Sequence, residues 1–67
     1  MCRSIKTLRG QEPEPTETEV EAAARQYVRK LSGYREPSQR NAEAFERAVQ
    51  EIADSTRRLL DAVDVRA

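Results

Sequence analysis

The sequence contains no histidine, one cysteine, and aromatic side chains at only 4% of its 67 positions. Without histidine or a second thiol, the chain lacks an internal disulfide, a Ser-His-Asp triad and the nitrogen and sulfur ligands of a structural zinc site. No apolar run approaches the ~20 residues of a membrane span, and residues 1–10 lack the apolar core of a signal peptide. We therefore expect a cytoplasmic protein that is not an enzyme, holds no metal or cofactor and does not enter a membrane.

Charge and length point to a macromolecular partner. Charged residues make up 36% of the chain and the formal net charge is zero, so no overall field favours nucleic acid or anionic lipid. A chain below ~70 residues rarely gains more than ~3–5 kcal/mol from its own core. No glycine-rich phosphate loop or pair of acids facing a pocket indicates a small-molecule substrate. A homodimer, or a complex with a partner protein, is the expected working form.

The first predicted helix covers residues 16–32 and follows a proline-containing connector at residues 11–15. Thr16 and Glu19 have the spacing of a capping box, in which each side chain accepts a hydrogen bond from the other residue's backbone N–H. Gly33 can take the left-handed conformation that ends a helix. The apolar residues recur at offsets of three and four, which places them on one face of the helix: Val20, Ala23, Ala24, Tyr27, Val28 and Leu31.

The second predicted helix covers residues 38–64, with Ser38 as its N-cap directly after Pro37. Its apolar positions alternate by three and four: Ala42, Phe45, Val49, Ile52, Thr56, Leu59 and Val63. The connector of about six residues makes the two helices turn back on each other as an antiparallel hairpin. Tyr27 and Phe45, on the apolar faces, are expected in its core.

The two predicted helices differ in length, ~22 Å against ~39 Å, so the second should extend past the first by roughly 15 Å. That overhang carries Leu59, Leu60 and Val63, which need a cover. One candidate is the N-terminal arm, residues 1–10, because Cys2, Ile5 and Leu8 are three apart, as in two helical turns closed by Gly10. The other is a second copy in a symmetric dimer.

These patterns predict an all-α fold: one domain over residues 1–67, an antiparallel two-helix hairpin with a short helical N-terminal arm packed on it. The candidate function is protein interaction, through self-association or a partner protein. The candidate interface residues are Ile5, Leu8, Leu59, Leu60 and Val63.

Two alternative functions rest on other residues. Local basic patches suit a nucleic-acid-binding accessory protein, although seven carboxylates from Glu36 onward and the lack of stacking aromatics favour a solvated surface. Removal of the initiator methionine would give Cys2 a free amine beside its thiol, as in N-terminal nucleophile chemistry, yet no base or oxyanion site accompanies it. The candidate nucleic-acid contacts are Arg3, Lys6, Arg9, Arg25, Arg29 and Lys30.

Several short stretches resemble one family along nearly the whole chain. They include Met1-Cys2-Arg3, the run from Gln26 to Gly33, Pro37-Ser38 and Leu59-Leu60. This pattern resembles the small bacterial proteins of the family domain of unknown function 2277. Ser4 stands where that family usually has asparagine, and Glu14 separates the two prolines of the connector. The resemblance implies the helical fold but no activity, so it assigns no catalytic residue.

Overall fold

A computed structural model describes residues 5–63 of the chain. Helix α1 spans Glu17–Ser32, a single 3-10 turn spans Gln39–Asn41, and helix α2 spans Ala42–Ala62. No strand occurs within residues 5–63, and the two helices pack against each other. The predicted all-α hairpin is confirmed. Cys2, Arg3 and Asp64, to which predictions were attached, lie outside the described residues.

Helix α1 begins and ends through the local signals that its sequence carries. The Glu19 N–H donates to Thr16 Oγ1 at 3.1 Å, and the Thr16 N–H donates to Glu19 Oε1 at 3.0 Å, so the capping box is confirmed. At the other end Gly33 has φ 77°, and its N–H donates to the Arg29 carbonyl at 2.9 Å. A left-handed residue at this point lets the chain leave the helix while satisfying one of its last carbonyls.

Helix α2 is shorter than the predicted segment 38–64. Ser38 does not cap it with its side chain; instead, the Asn41 N–H donates to the Ser38 carbonyl at 2.9 Å and forms the 3-10 turn. Such tight turns are common at the start of α-helices because i to i+3 bonds satisfy the first backbone groups. At the other end, Val63 already has extended dihedrals, φ −81° and ψ 142°.

Two ion pairs between the helices fix their antiparallel register. Arg25 Nη2 lies 3.0 Å from Glu46 Oε1, and Arg57 Nη1 lies 2.7 Å from Glu17 Oε2. Arg57 is therefore level with the first turn of α1, and only the last turn of α2 extends beyond it. The helices are ~24 and ~32 Å long, so the overhang is roughly 8 Å, about half the predicted length.

The core lies between the helices and is closed at one end by the arm. Val49 and Ala53 are fully buried at its centre. The buried residues are Leu8, Val20, Ala24, Val28, Phe45, Val49 and Ala53, and the half-buried residues packed against them are Ala23, Ala48, Ile52 and Leu60. Among residues 5–63, Leu8 is the one buried residue of this core that belongs to neither helix. The arm therefore contributes directly to the core of the hairpin.

The arm is not helical over residues 5–10, which corrects the prediction of two helical turns. It ends in a turn in which the Gln11 N–H donates to the Leu8 carbonyl at 3.2 Å, and Gly10 takes φ 75°. A helix of two turns has too few hydrogen bonds to offset its nucleation cost. An irregular segment can still bury one leucine, and Leu8 is only 7% exposed.

Candidate interaction surface

One edge of the hairpin is closed by charges. Glu17 and Arg25 of α1 pair with Arg57 and Glu46 of α2, and we call these four residues the ionic edge. The Arg25 guanidinium donates to Glu46 and lowers the pKa of that carboxyl, while Glu46 in turn raises the pKa of Arg25. Arg25 also lies 3.3 Å from Glu21, one turn earlier on its own helix. The charges on this side of the molecule therefore satisfy one another.

The opposite edge of the hairpin is apolar. Residues two apart point ~200° apart around a helix, so the residue two positions after a member of the ionic edge lies on the other side. Tyr27 follows Arg25 in this way, Ala48 follows Glu46 and Leu59 follows Arg57. At each of these three positions an apolar side chain stands where the ionic edge has a charged one. We call this surface the apolar edge and include in it Tyr27, Leu31, Ala48, Ile52 and Leu59.

Large side chains of the apolar edge remain in contact with water. Tyr27 is 46% exposed, Leu31 68% and Leu59 58%, whereas Ala48 and Ile52 are half-buried between them. Scattered single apolar residues on a surface are ordinary, but here they lie along one side of one helix pair. The edge thus offers two shallow rows of apolar side chains with a small residue, Ala48, beside the larger ones.

The arm covers the apolar edge only near the start of α1. Glu19 lies two residues after Glu17 and so faces away from the ionic edge; its Oε2 accepts from Lys6 Nζ and Gln11 Nε2, each at 2.9 Å. Three hydrogen bonds lower the pKa of Glu19 from its ordinary 4.5 to about 2. The bond from Lys6 has the largest effect, followed by those from the Thr16 N–H and from Gln11. Glu19 therefore links the arm, the connector and the first turn of α1.

The predicted interface residues divide into covered and exposed ones. Leu8 is buried in the core, and Leu60 is half-buried and packs against the same core, so the arm does cover part of the overhang. Ile5 and Val63 are half-buried, while Leu59 is exposed. Leu59 is the predicted interface residue most available to a partner. Whether any of them contacts one stays a prediction.

The prediction that Tyr27 lies in the core is wrong, and Leu31 is likewise exposed. The six apolar positions of α1 span too wide an arc for one neighbouring helix to cover. Helix α2 covers the ridge Val20, Ala24 and Val28, where residues follow one another by four, and leaves the flanking row that ends in Tyr27 and Leu31. The signal was present in the sequence, because a hairpin has only one helix–helix interface.

Ion pairs within the chain occupy three of the candidate nucleic-acid contacts. Lys6 lies 2.9 Å from Glu19, Arg25 pairs with Glu46, and Arg29 lies 3.8 Å from Glu36. Lys30 and Arg9 are exposed and belong to no ion pair within residues 5–63. The structure therefore does not bring the predicted contacts together as one free basic surface over the described part of the chain.

Other candidate sites do not take shape in the described segment. A surface hollow of about 550 Å³ lies on the outer side of α1, where Lys6, Glu19 and Arg25 are already engaged in ion pairs. Within residues 5–63, acidic, histidine and cysteine side chains form no group of three that could hold a metal ion. Over the same residues, neither helix has the length and apolar character needed to cross a bilayer.

The fold and this surface define a small all-helical hairpin with one ionic and one apolar edge. The family described as "Uncharacterized conserved protein (DUF2277)" matches residues 1–67, the whole chain. The chain belongs to this family, as the resemblance of its short stretches predicts. No curated protein and no solved structure matches it. The family description names no activity, so the geometry of the two edges is the basis for a function.

Proposed function

We propose that this protein is a small interaction module that docks its apolar edge against an apolar surface of a protein. One observation carries the proposal: Tyr27, Leu31 and Leu59 are exposed on one edge, whereas ion pairs close the opposite edge. Removing such side chains from water is favourable by ~25 cal/mol per Å² of apolar area. Tyrosine is also among the residues that most often anchor protein interfaces.

The shape of the edge favours a helical surface as the target. Two parallel rows of side chains, one from each helix, leave a shallow channel into which the ridge of a third helix can pack. Ala48 and the exposed Ser55 keep the α2 row low on either side of Ile52. A partner helix with leucine-sized residues at offsets of three and four would fill that channel.

Site-specific photocrosslinking in cells that make the protein tests this proposal. A benzophenone amino acid replaces Tyr27 on the apolar edge or, as the matched control, Gln50, which is exposed one turn after Glu46 on the ionic side. We expect irradiation to give protein adducts from position 27 and not from position 50. Adducts from neither position, or equally from both, would contradict a docking function of this edge.

A further inference from the structure

We infer that the partner of the apolar edge is a second copy of this chain, bound antiparallel across a two-fold axis; this inference rests on the proposed docking function. Charge distinguishes the possible occupants, because the apolar side chains alone would accept many partners. In a two-fold dimer the same edge of both copies meets, so the surface must be complementary to itself.

The hairpin carries opposite net charge at its two ends. Residues 25–47, the half that contains the loop, have six arginines and lysines against three glutamates, a net charge of +3. The described remainder, residues 5–24 and 48–63, has four basic and eight acidic residues, a net charge of −4. The molecule is therefore electrically polar along the helices although the whole chain is neutral.

This polarity distinguishes the two ways in which a pair of apolar edges can meet. With both loops at the same end, +3 faces +3 and −4 faces −4, and like charges disfavour the complex. With the copies antiparallel, each basic loop half lies beside the acidic half of the other copy. Complementary fields of this kind steer association and fix orientation. The charge distribution thus matches an antiparallel copy of the same chain.

The side chains along the edge fit the same arrangement. At ~1.5 Å per residue, Tyr27 and Leu31 lie on the loop side of the hairpin's midpoint, and Leu59 lies on the other side. A two-fold axis across the helices places α1 of one copy beside α1 of the other and α2 beside α2, each pair antiparallel, so Leu59 of one copy approaches the loop half of the partner's α2, towards Ala48. The small side chain of Ala48 leaves room there for the leucine, and the half-buried Ala23 leaves room for Tyr27 where the two α1 helices meet. The four helices would form a bundle with apolar contacts along its seam.

The dimer should be weak and reversible. About half of each of three side chains is exposed, and at ~200 Å² per large side chain this supplies only ~300 Å² per copy, below the ~800 Å² of a standard interface. Neighbouring side chains and the charged halves add to this area. We therefore expect the average mass to rise with concentration from that of the 7.7 kDa monomer towards twice that value.

Sedimentation of the purified full chain over about a hundredfold concentration range tests the self-association. Leu31→Glu and Leu59→Glu place a charge on exposed positions of the apolar edge and should weaken the dimer at least about tenfold, because the charge would be desolvated on binding. Gln50→Glu adds the same side chain on the ionic side and should leave the dimer unchanged. Far-UV circular dichroism checks that each variant remains helical.

Paramagnetic relaxation between copies tests the orientation. A spin label at Ser38→Cys, in a Cys2→Ser background, is mixed with unlabelled, isotope-enriched chain, so that only contacts between copies attenuate signals. Antiparallel copies should lose amide intensity at residues 58–62. Attenuation at residues 34–42 instead would mean that the loops lie together and would overturn the inference, as would a monomer at every concentration.

The inference and the proposed function fail in different ways. A monomer in solution, with crosslinks from position 27 to a different protein in cells, would refute the second copy and keep the docking function. The absence of crosslinks specific to position 27 in cells would refute the docking function itself.

Discussion

Replacing Leu8 by alanine tests whether the arm is part of the folded core. Leu8 is 7% exposed and is the buried residue that the described part of the arm, residues 5–10, contributes to the core. Truncating a buried leucine costs ~2–5 kcal/mol, the larger values applying where surrounding atoms cannot move into the space. The arm is irregular and can partly collapse, so we expect a loss of about 2–3 kcal/mol in the free energy of unfolding, at the lower end of that range.

Such a loss is large for a chain of this size. A small core supplies only ~3–5 kcal/mol, so roughly half or more of the stability would depend on one side chain. For domains of 60–100 residues, each 1 kcal/mol lowers Tm by ~4–8 °C, which gives a decrease of roughly 10–20 °C. Urea unfolding followed by circular dichroism measures the same quantity as a lower midpoint with an unchanged slope.

Leu31→Ala is the matched control, because it removes the same atoms from a side chain that is 68% exposed. We expect it to change stability by less than ~0.5 kcal/mol. Both variants are measured at the lowest workable concentration, since a dimer would stabilise the folded state by mass action. If Leu8→Ala and Leu31→Ala unfold at the same urea concentration, the arm is not docked and the account of the core is wrong.

Three further predictions concern the ends of α1 and the basic residues. The Glu19 carboxyl should titrate at about 2 by NMR. Because its folded pKa lies below its ordinary 4.5, its stabilising effect is complete above pH 4.5 and is lost as pH falls towards 2. Glu19→Gln should remove this pH dependence of stability. Gly33→Ala should destabilise the protein by about 1 kcal/mol in urea unfolding, because a residue with a Cβ is strained at φ 77° although no neighbouring atom lies within 4 Å of the added methyl group. An unchanged urea midpoint would argue against the left-handed cap. Labelled DNA or RNA should show no saturable binding at ~150 mM salt, because Lys6, Arg25 and Arg29 are engaged within the chain; tight binding that weakens steeply with salt would restore the nucleic-acid hypothesis.

The parts of the fold that were predictable from sequence are those set by neighbours along the chain. The capping box of Thr16 and Glu19 and the helix end at Gly33 depend on residues within one turn of each other, so their spacing alone specifies them. The antiparallel hairpin follows from a short connector between two amphipathic segments. The start of α2 does not follow from such local spacing, because Ser38 starts a 3-10 turn instead of capping the α-helix.

Two features could not be obtained from periodicity. In the arm of ten residues, apolar positions three apart are compatible with a short helix. They are equally compatible with an irregular segment that buries one leucine, and tertiary contacts hold Leu8 in the core. Periodicity correctly places the apolar positions of α1 on one side of the helix. Which of them are buried depends on which ridge of side chains α2 contacts. Periodicity therefore places Tyr27 in the core and Leu31 on the same apolar face, and Leu59 is the one member of the apolar edge that it predicts as an interface residue.

The ion pairs select the register of the hairpin, although they contribute little stability. Exposed pairs of this kind are worth ~0–1 kcal/mol each, less than one buried leucine. If α2 slipped by one turn in one direction, Glu17 would face Asp61 and Arg25 would face Gln50; in the other direction, Glu17 would face Ala53. Either slip loses both pairs at once while keeping apolar ridges in contact, so the charges discriminate between registers that packing alone would accept. The ionic edge thus sets the register of the two helices, and Tyr27 and Leu31 stand on the opposite, open side of the hairpin, available for a partner.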